Sequence, residues 1–153
     1  GDFNSDGSAD LLFKHESGLL AVWNMEGLNQ ISSEFLTPNS LGDAAWWVAV
    51  VADLNADGKD DLVIQHDTGL VGVWLMNGNE LTSATLLSPS STGDAAWNMV
   101  SSGDLNGDGS TDLIFQHNDG TLAVWYMNGT KRIGAELITP NNPGDGWRVV
   151  GPR

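Results

Sequence analysis

The chain contains no cysteine, only six lysines and arginines together, and no apolar run close to the ~20 residues of a membrane span. Without cysteine there is no disulfide framework and no thiolate chemistry, which is neutral about compartment. Six cationic side chains against twenty acidic ones give a formal net charge of −14 at pH 7. That balance excludes nucleic acid as a partner, because its binding needs a basic surface that releases counterions. It equally disfavours anionic membrane surfaces, and no segment suits membrane insertion. Cations are the natural partners. There is also no initiator methionine and no signal-like start; the sequence begins inside a motif, as a processed product or a segment of a longer chain would. At 153 residues with 41% hydrophobic content it fits one compact domain, 1–153, or part of a larger repetitive one.

What is present is a repeat. Asp2, Asp53 and Asp104 are spaced by 51 residues, as are His15, His66 and His117, then Trp23, Trp74 and Trp125, and Pro38, Pro89 and Pro140. Three copies, residues 2–52, 53–103 and 104–153, fill the chain. The spacing slips near the end, where "GDGW" (144–147) is one residue shorter than "GDAAW" at 42–46 and 93–97.

Within the second copy, "DLVIQH" (61–66), "LVGVWLM" (70–76), "ELTSATLL" (80–87) and "WNMVS" (97–101) read as strands. Between them "DTG", "NGN" and "SPSSTGD" carry turn chemistry. No window offers a capped helix, so the fold class is all-β. Alternation puts Leu70, Gly72, Trp74 and Met76 on one face of their strand and Val71, Val73 and Leu75 on the other, which predicts burial on both faces. A four-stranded antiparallel sheet covered on both sides by sheets like itself is a β-propeller blade, and the period suits one blade. A β-solenoid is the competing repeat fold, with coils usually much shorter.

The stretch "DLNGDGSTD" (104–112) sets oxygen-bearing side chains at alternate positions around a glycine, and it recurs as "DFNSDGSAD" (2–10) and "DLNADGKDD" (53–61). A hard cation wanting six to eight oxygens selects such a loop, which resembles the start of an EF-hand loop but closes with a carboxylate at the ninth position. The expected ligands are Asp104, Asn106, Asp108, the Ser110 carbonyl and Asp112; Asp2, Asn4, Asp6, the Ser8 carbonyl and Asp10; and Asp53, Asn55, Asp57, the Lys59 carbonyl and Asp61. Three carboxylates within nine residues repel one another without a cation. About three Ca²⁺ per chain would bring the formal charge to about −8, and Ca²⁺ is favoured over Mg²⁺ by a flexible, all-oxygen loop. The alternative is a hairpin turn held by Asx hydrogen bonds; three copies in register favour the metal.

These residues, with "GDLNGDGSTDLIFQH" (103–117), "LAVWYMNG" (122–129) and "WRVVG" (147–151), resemble the FG-GAP or VCBS-type repeats of integrin α-subunit propellers and of many secreted bacterial proteins. The resemblance covers the whole chain. It implies a propeller whose blades each carry a Ca²⁺ loop between the innermost strand and the next.

The histidines share strand faces with apolar residues, His66 with Leu62 and Ile64 for example, and read as hydrogen-bonded packing residues. No nucleophile accompanies them, and histidines on separate blades do not make a zinc site. A unique acid/base pair is hard to reconcile with threefold repetition, so no enzymatic activity is expected. Trp23, Trp74 and Trp125 are expected in the inter-blade core. Trp46, Trp97 and Trp147 follow "GD" at the start of the innermost strand, where each, beside Asp43, Asp94 or Asp145, is a candidate for stacking on a sugar; core packing is the competing reading, and Trp47 occurs in the first copy alone. Asn128 heads an N-glycosylation sequon, and the Thr-Pro and Ser-Pro pairs at Thr37, Ser88 and Thr139 read as exposed turns.

Propellers generally need at least four blades to close. The first copy lacks a "WxV" innermost strand, while "WRVV" (147–150) is an innermost strand with no blade to follow. Closure is therefore expected either from missing blades or by self-association, with Trp147–Val150 of one molecule completing the first blade of another, head to tail, into a ring or a filament. The expected function is a secreted or cell-surface Ca²⁺-binding module with a structural or adhesive role, since loops of this kind suit millimolar extracellular Ca²⁺. The alternative is a lectin that binds glycans through its Trp and Asp residues.

Overall fold

The computed structural model describes residues 1–150 and is all-β among them, with eleven strands and no helix. They are β1 (Leu11–Lys14), β2 (Leu19–Glu26), β3 (Asn29–Ser40), β4 (Trp46–Ala52), β5 (Asp61–His66), β6 (Leu70–Asn77), β7 (Glu80–Ser91), β8 (Trp97–Gly103), β9 (Asp112–His117), β10 (Leu122–Asn128) and β11 (Lys131–Leu137). Successive strands pair antiparallel through short turns. This yields two four-stranded units, β4 to β7 and β8 to β11, preceded by a three-stranded unit, β1 to β3. Neighbouring units touch at their outer edges through single parallel contacts, Thr37 with Glu80 and Ser88 with Lys131. The sheet assembly is open at both ends.

The hydrophobic core lies between the units. Leu62, Ile64, Trp74 and Met76 on one face of the second unit pack against Phe3, Leu20, Val22 and Leu36 of the first. The opposite face, with Leu54, Val71, Val73 and Leu87, packs against Leu113, Phe115, Trp125 and Met127 of the third. The central strands β5 and β6 are thus buried on both sides, as their uninterrupted apolar runs require.

Three expectations need correcting. Trp147–Val150 is not a strand, because a strand exists by its ladder and the second strand that would pair with it is not in place. Trp23 is 40% exposed, unlike Trp74 and Trp125 at 8% and 6%, because no unit covers the outer face of the first. Thr37 and Ser88 are exposed but not in turns: β3 and β7 run through their prolines to Ser40 and Ser91, which makes the outermost strands longer than the polar pattern suggested.

Candidate metal centre

The three acidic loops lead into β1, β5 and β9, and so sit at one end of the units. Each folds by the same local bonds. In the second, the Asp53 carboxylate accepts the N–H groups of Asp57 (3.1 Å) and Gly58 (2.8 Å), Asn55 Oδ1 accepts Asp57 N–H at 2.9 Å, and Asp57 Oδ1 accepts Lys59 N–H at 2.9 Å. The first and third loops repeat this set around Asp2, Asn4 and Asp6 and around Asp104, Asn106 and Asp108. The sixth position is left-handed in all three, with φ of 85°, 82° and 84° at Gly7, Gly58 and Gly109, where only glycine turns without a Cβ penalty.

The ninth-position aspartates are buried. Asp61 takes Leu54 N–H on one oxygen (3.1 Å) and Met76 N–H on the other (3.0 Å), joining its loop to β6. Asp10 and Asp112 do the same with Phe3 and Met25 and with Leu105 and Met127. Burial pushes the Asp61 carboxyl up, and the charges of Asp57 and Asp53 push it the same way. Asp6 and Asp108 are held below the usual carboxylate range by donors in their own loops, led by Ser8 N–H and the Asn106 side chain respectively.

Among the described residues no group of three or more Asp, Glu, His or Cys side chains takes up a metal-holding arrangement. The loop oxygens are engaged by loop N–H groups in the Asx pattern, and an oxygen with one such donor keeps a second lone pair. The donor chemistry fits a hard divalent cation: three carboxylates, an amide oxygen and a backbone carbonyl within nine residues, with oxygens only. When bound, such an ion would neutralise the mutual repulsion of the loop.

Neighbouring loops are also tied to each other. Asp60 Oδ2 accepts the N–H of Asp2 at 2.6 Å, and Thr111 Oγ1 donates to the carbonyl of Asp53 at 2.8 Å. In both cases the eighth position of one loop holds the first position of the loop before it.

At the opposite end lie the candidate sugar residues. The Trp46 and Trp97 rings pack on His66 and His117 with centroids 5.0 Å apart. Asp43 and Asp94 approach the same histidines at 3.4 Å while accepting the N–H groups of Ala45 and Ala96. These side chains knit one unit's innermost strand to its second strand. Trp147 is 68% exposed, near Asp145, and Trp47 is half-buried beside β1. Asn128 is exposed at the end of β10.

Two glutamines carry a role the sequence reading missed. Gln65, 1% exposed, donates from Nε2 to the Trp97 carbonyl at 2.6 Å and accepts Met99 N–H on Oε1 at 2.7 Å. Gln116 holds the Trp147 carbonyl and Val149 N–H in the same way, at 2.9 and 3.1 Å. Each glutamine thus replaces a strand partner along the edge of the next innermost strand. The signal was available: a glutamine on a strand buried on both faces needs polar partners. The first copy has Lys14 at this position, donating to the Trp46 carbonyl at 2.9 Å.

Residues 2–64 and 53–115 each match the family model described as FG-GAP-like repeat. Comparison with curated proteins and with solved structures gives no match. Each matched span starts at the first aspartate of one loop and runs through the next loop into the strand that follows, so all three loops fall within them. The chain belongs to the FG-GAP-like repeat family, whose repeats typically form the blades of β-propellers.

Proposed function

We propose that the chain is a Ca²⁺-binding propeller module with a structural or adhesive role, secreted or displayed at the cell surface, rather than an enzyme. FG-GAP-like repeats often bind Ca²⁺. The observation that carries the reading is the threefold recurrence of one oxygen-donor loop at one end of the blades, with Asp60 and Thr111 linking each loop to its neighbour. Cations held there would stiffen blades and inter-blade contacts together. The role is mechanical, because the loops bear on β1, β5 and β9 and on the buried Asp10, Asp61 and Asp112.

Thermal unfolding in Ca²⁺, in Mg²⁺ and in EGTA tests this. At millimolar Ca²⁺ and a Kd of about 0.1 mM, each site contributes about 1.4 kcal/mol, so three sites raise Tm by roughly 10 °C. An unchanged Tm would refute the reading. Carbohydrate binding is the second reading, favoured by the exposed Trp147 beside Asp145; the rings of Trp46 and Trp97 are already engaged by histidines. Specific signals on a glycan array, lost in Trp147→Ala, would support it.

A further inference from the structure

We infer that His117, held between the Asp94 and Asp119 carboxylates, is a proton-operated catch on the turn 118–121 between β9 and β10, and that it alone among the three repeat histidines is built to work this way. The catch lies at the end of its unit opposite the acidic loop and acts whether or not Ca²⁺ is bound, so it stands apart from the role proposed above.

The three histidines occupy one repeat position, and each ring meets the residue two places further on. In the first two units that residue carries a hydroxyl: Ser17 Oγ lies 2.7 Å from His15 Nδ1, and Thr68 Oγ1 lies 2.8 Å from His66 Nδ1. The N–H of the same residue also points at Nδ1, at 3.1 and 3.2 Å. A hydroxyl rotates to donate or to accept, so a neutral ring with its lone pair on Nδ1 serves both contacts. The other nitrogen is then the donor, and in the second unit Nε2 faces Asp43 Oδ2 at 3.4 Å. Nothing in that arrangement calls for a charge.

In the third unit an aspartate replaces the hydroxyl. Asp119 Oδ1 is 2.9 Å from Nδ1, while Asp94 Oδ2 is 3.4 Å from Nε2. Carboxylates only accept, so both ring nitrogens must carry protons, and only the imidazolium does. The charged groups about the ring come from three elements. Asp94 lies on the connection from β7 to β8, Asp119 on the ring's own turn, and Asp145 and Arg148 on the segment after β11, which lines a cleft with Asn118, Asp119 and Gly120. From β8, Trp97 packs on the ring with centroids 5.0 Å apart. The hydrogen bond to Asp119, above all, makes the ring hold its proton more tightly, which places the working range near neutral pH.

Loss of that proton leaves one N–H for two acceptors. Because the Asp119 N–H points at Nδ1 at 3.3 Å, the neutral ring takes the arrangement of the second unit, with Nδ1 accepting and Nε2–H held by Asp94. The Nδ1 lone pair then faces the Asp119 carboxylate, which lets go. The same oxygen, Oδ1, accepts Thr121 N–H at 2.9 Å, and the Asp119 carbonyl accepts Asn142 Nδ2 at 3.0 Å. Release of the carboxylate therefore loosens the turn and its tie to the segment after β11. The catch is closed below about pH 6.5 and opens as the pH rises through the raised value of the ring.

The test is NMR of the full chain, titrated from about pH 5 to pH 9, for wild type, Asp119→Thr and Thr68→Asp. In wild type the Thr121 amide signal should shift with the midpoint of the His117 ring, and its protection against solvent exchange, corrected for the intrinsic rate, should fall severalfold on the alkaline side. Asp119→Thr gives the third unit the hydroxyl of the second and should abolish that fall. Thr68→Asp should confer it on Leu70, the repeat counterpart of Thr121. A gain in one unit and a loss in the other cannot both come from misfolding. Thr121 protection that does not follow the His117 ring, an Asp119→Thr variant that keeps the wild-type response, or a Thr68→Asp variant that fails to acquire it would overturn the inference.

Discussion

Replacing Gln65 with leucine should be among the most damaging single changes in the chain. The substitution keeps the volume and leaves the strand pattern intact, so only two hydrogen bonds are removed: the one to the Trp97 carbonyl and the one from Met99 N–H. Gln65 is 1% and Met99 4% exposed, so water does not replace these partners. An unpaired buried polar group costs about 1–3 kcal/mol, and two such groups, less the gain from burying a leucine, give a net loss of about 2–4 kcal/mol. For a chain of this length that is a fall in Tm of roughly 5–15 °C. Gln116→Leu is the internal comparison. Its partners lie on a segment where Trp147 is 68% exposed, so water can take over and the loss should stay near or below about 1 kcal/mol. Urea unfolding followed by tryptophan emission would measure both. Equal losses, or a Gln65→Leu variant as stable as wild type, would refute the claim that the amide bridges the blades.

Asp108→Ala should lower thermal stability in Ca²⁺ and change little in EGTA, since Asp108 is exposed and its bonds stay within the loop; an equal fall in both conditions would speak for a purely structural turn. Gly107→Ala should cost about 1 kcal/mol, read by denaturant unfolding, because φ there is 76° and a Cβ is penalised in the left-handed region. The His117 imidazole, hydrogen-bonded first of all to Asp119, sits above its ordinary pKa, and Asp119 is drawn down to about 2, chiefly by its hydrogen bonds from Thr121 and then by His117. The stability that the charged imidazole contributes is therefore complete below about pH 6.5 and is lost as pH rises through the raised folded value. An NMR titration should show the His117 value falling in Asp119→Asn.

The repeat made most of the fold legible. A 51-residue period places "DLVIQH" and "LVGVWLM" within a residue of β5 and β6, because both are apolar runs bounded by turn residues. Burial on both faces followed from Val71 and Val73 alternating with Trp74 and Met76, which the two core clusters bear out. What did not follow depends on neighbours. Trp23 has the sequence environment of Trp74 and Trp125 but no blade over it, and "WRVV" has strand propensity but no ladder. The length of β3 and β7 was missed because proline ordinarily marks a strand's end, whereas on an outermost strand its missing N–H leaves no ladder bond unmade. In the loops, spacing singled out the oxygen-bearing side chains but not the partners they have in the fold. The Asx bonds and the burial of Asp61 beneath Leu54 and Met76 N–H groups belong to the fold around them.

The most direct test of the account is the Ca²⁺ stoichiometry of the chain by equilibrium dialysis, repeated on Asp104→Ala/Asp108→Ala. About three ions per chain at saturation, falling to about two in the variant, is the predicted result. No saturable binding, or a stoichiometry untouched by loss of the third loop's carboxylates, would contradict it.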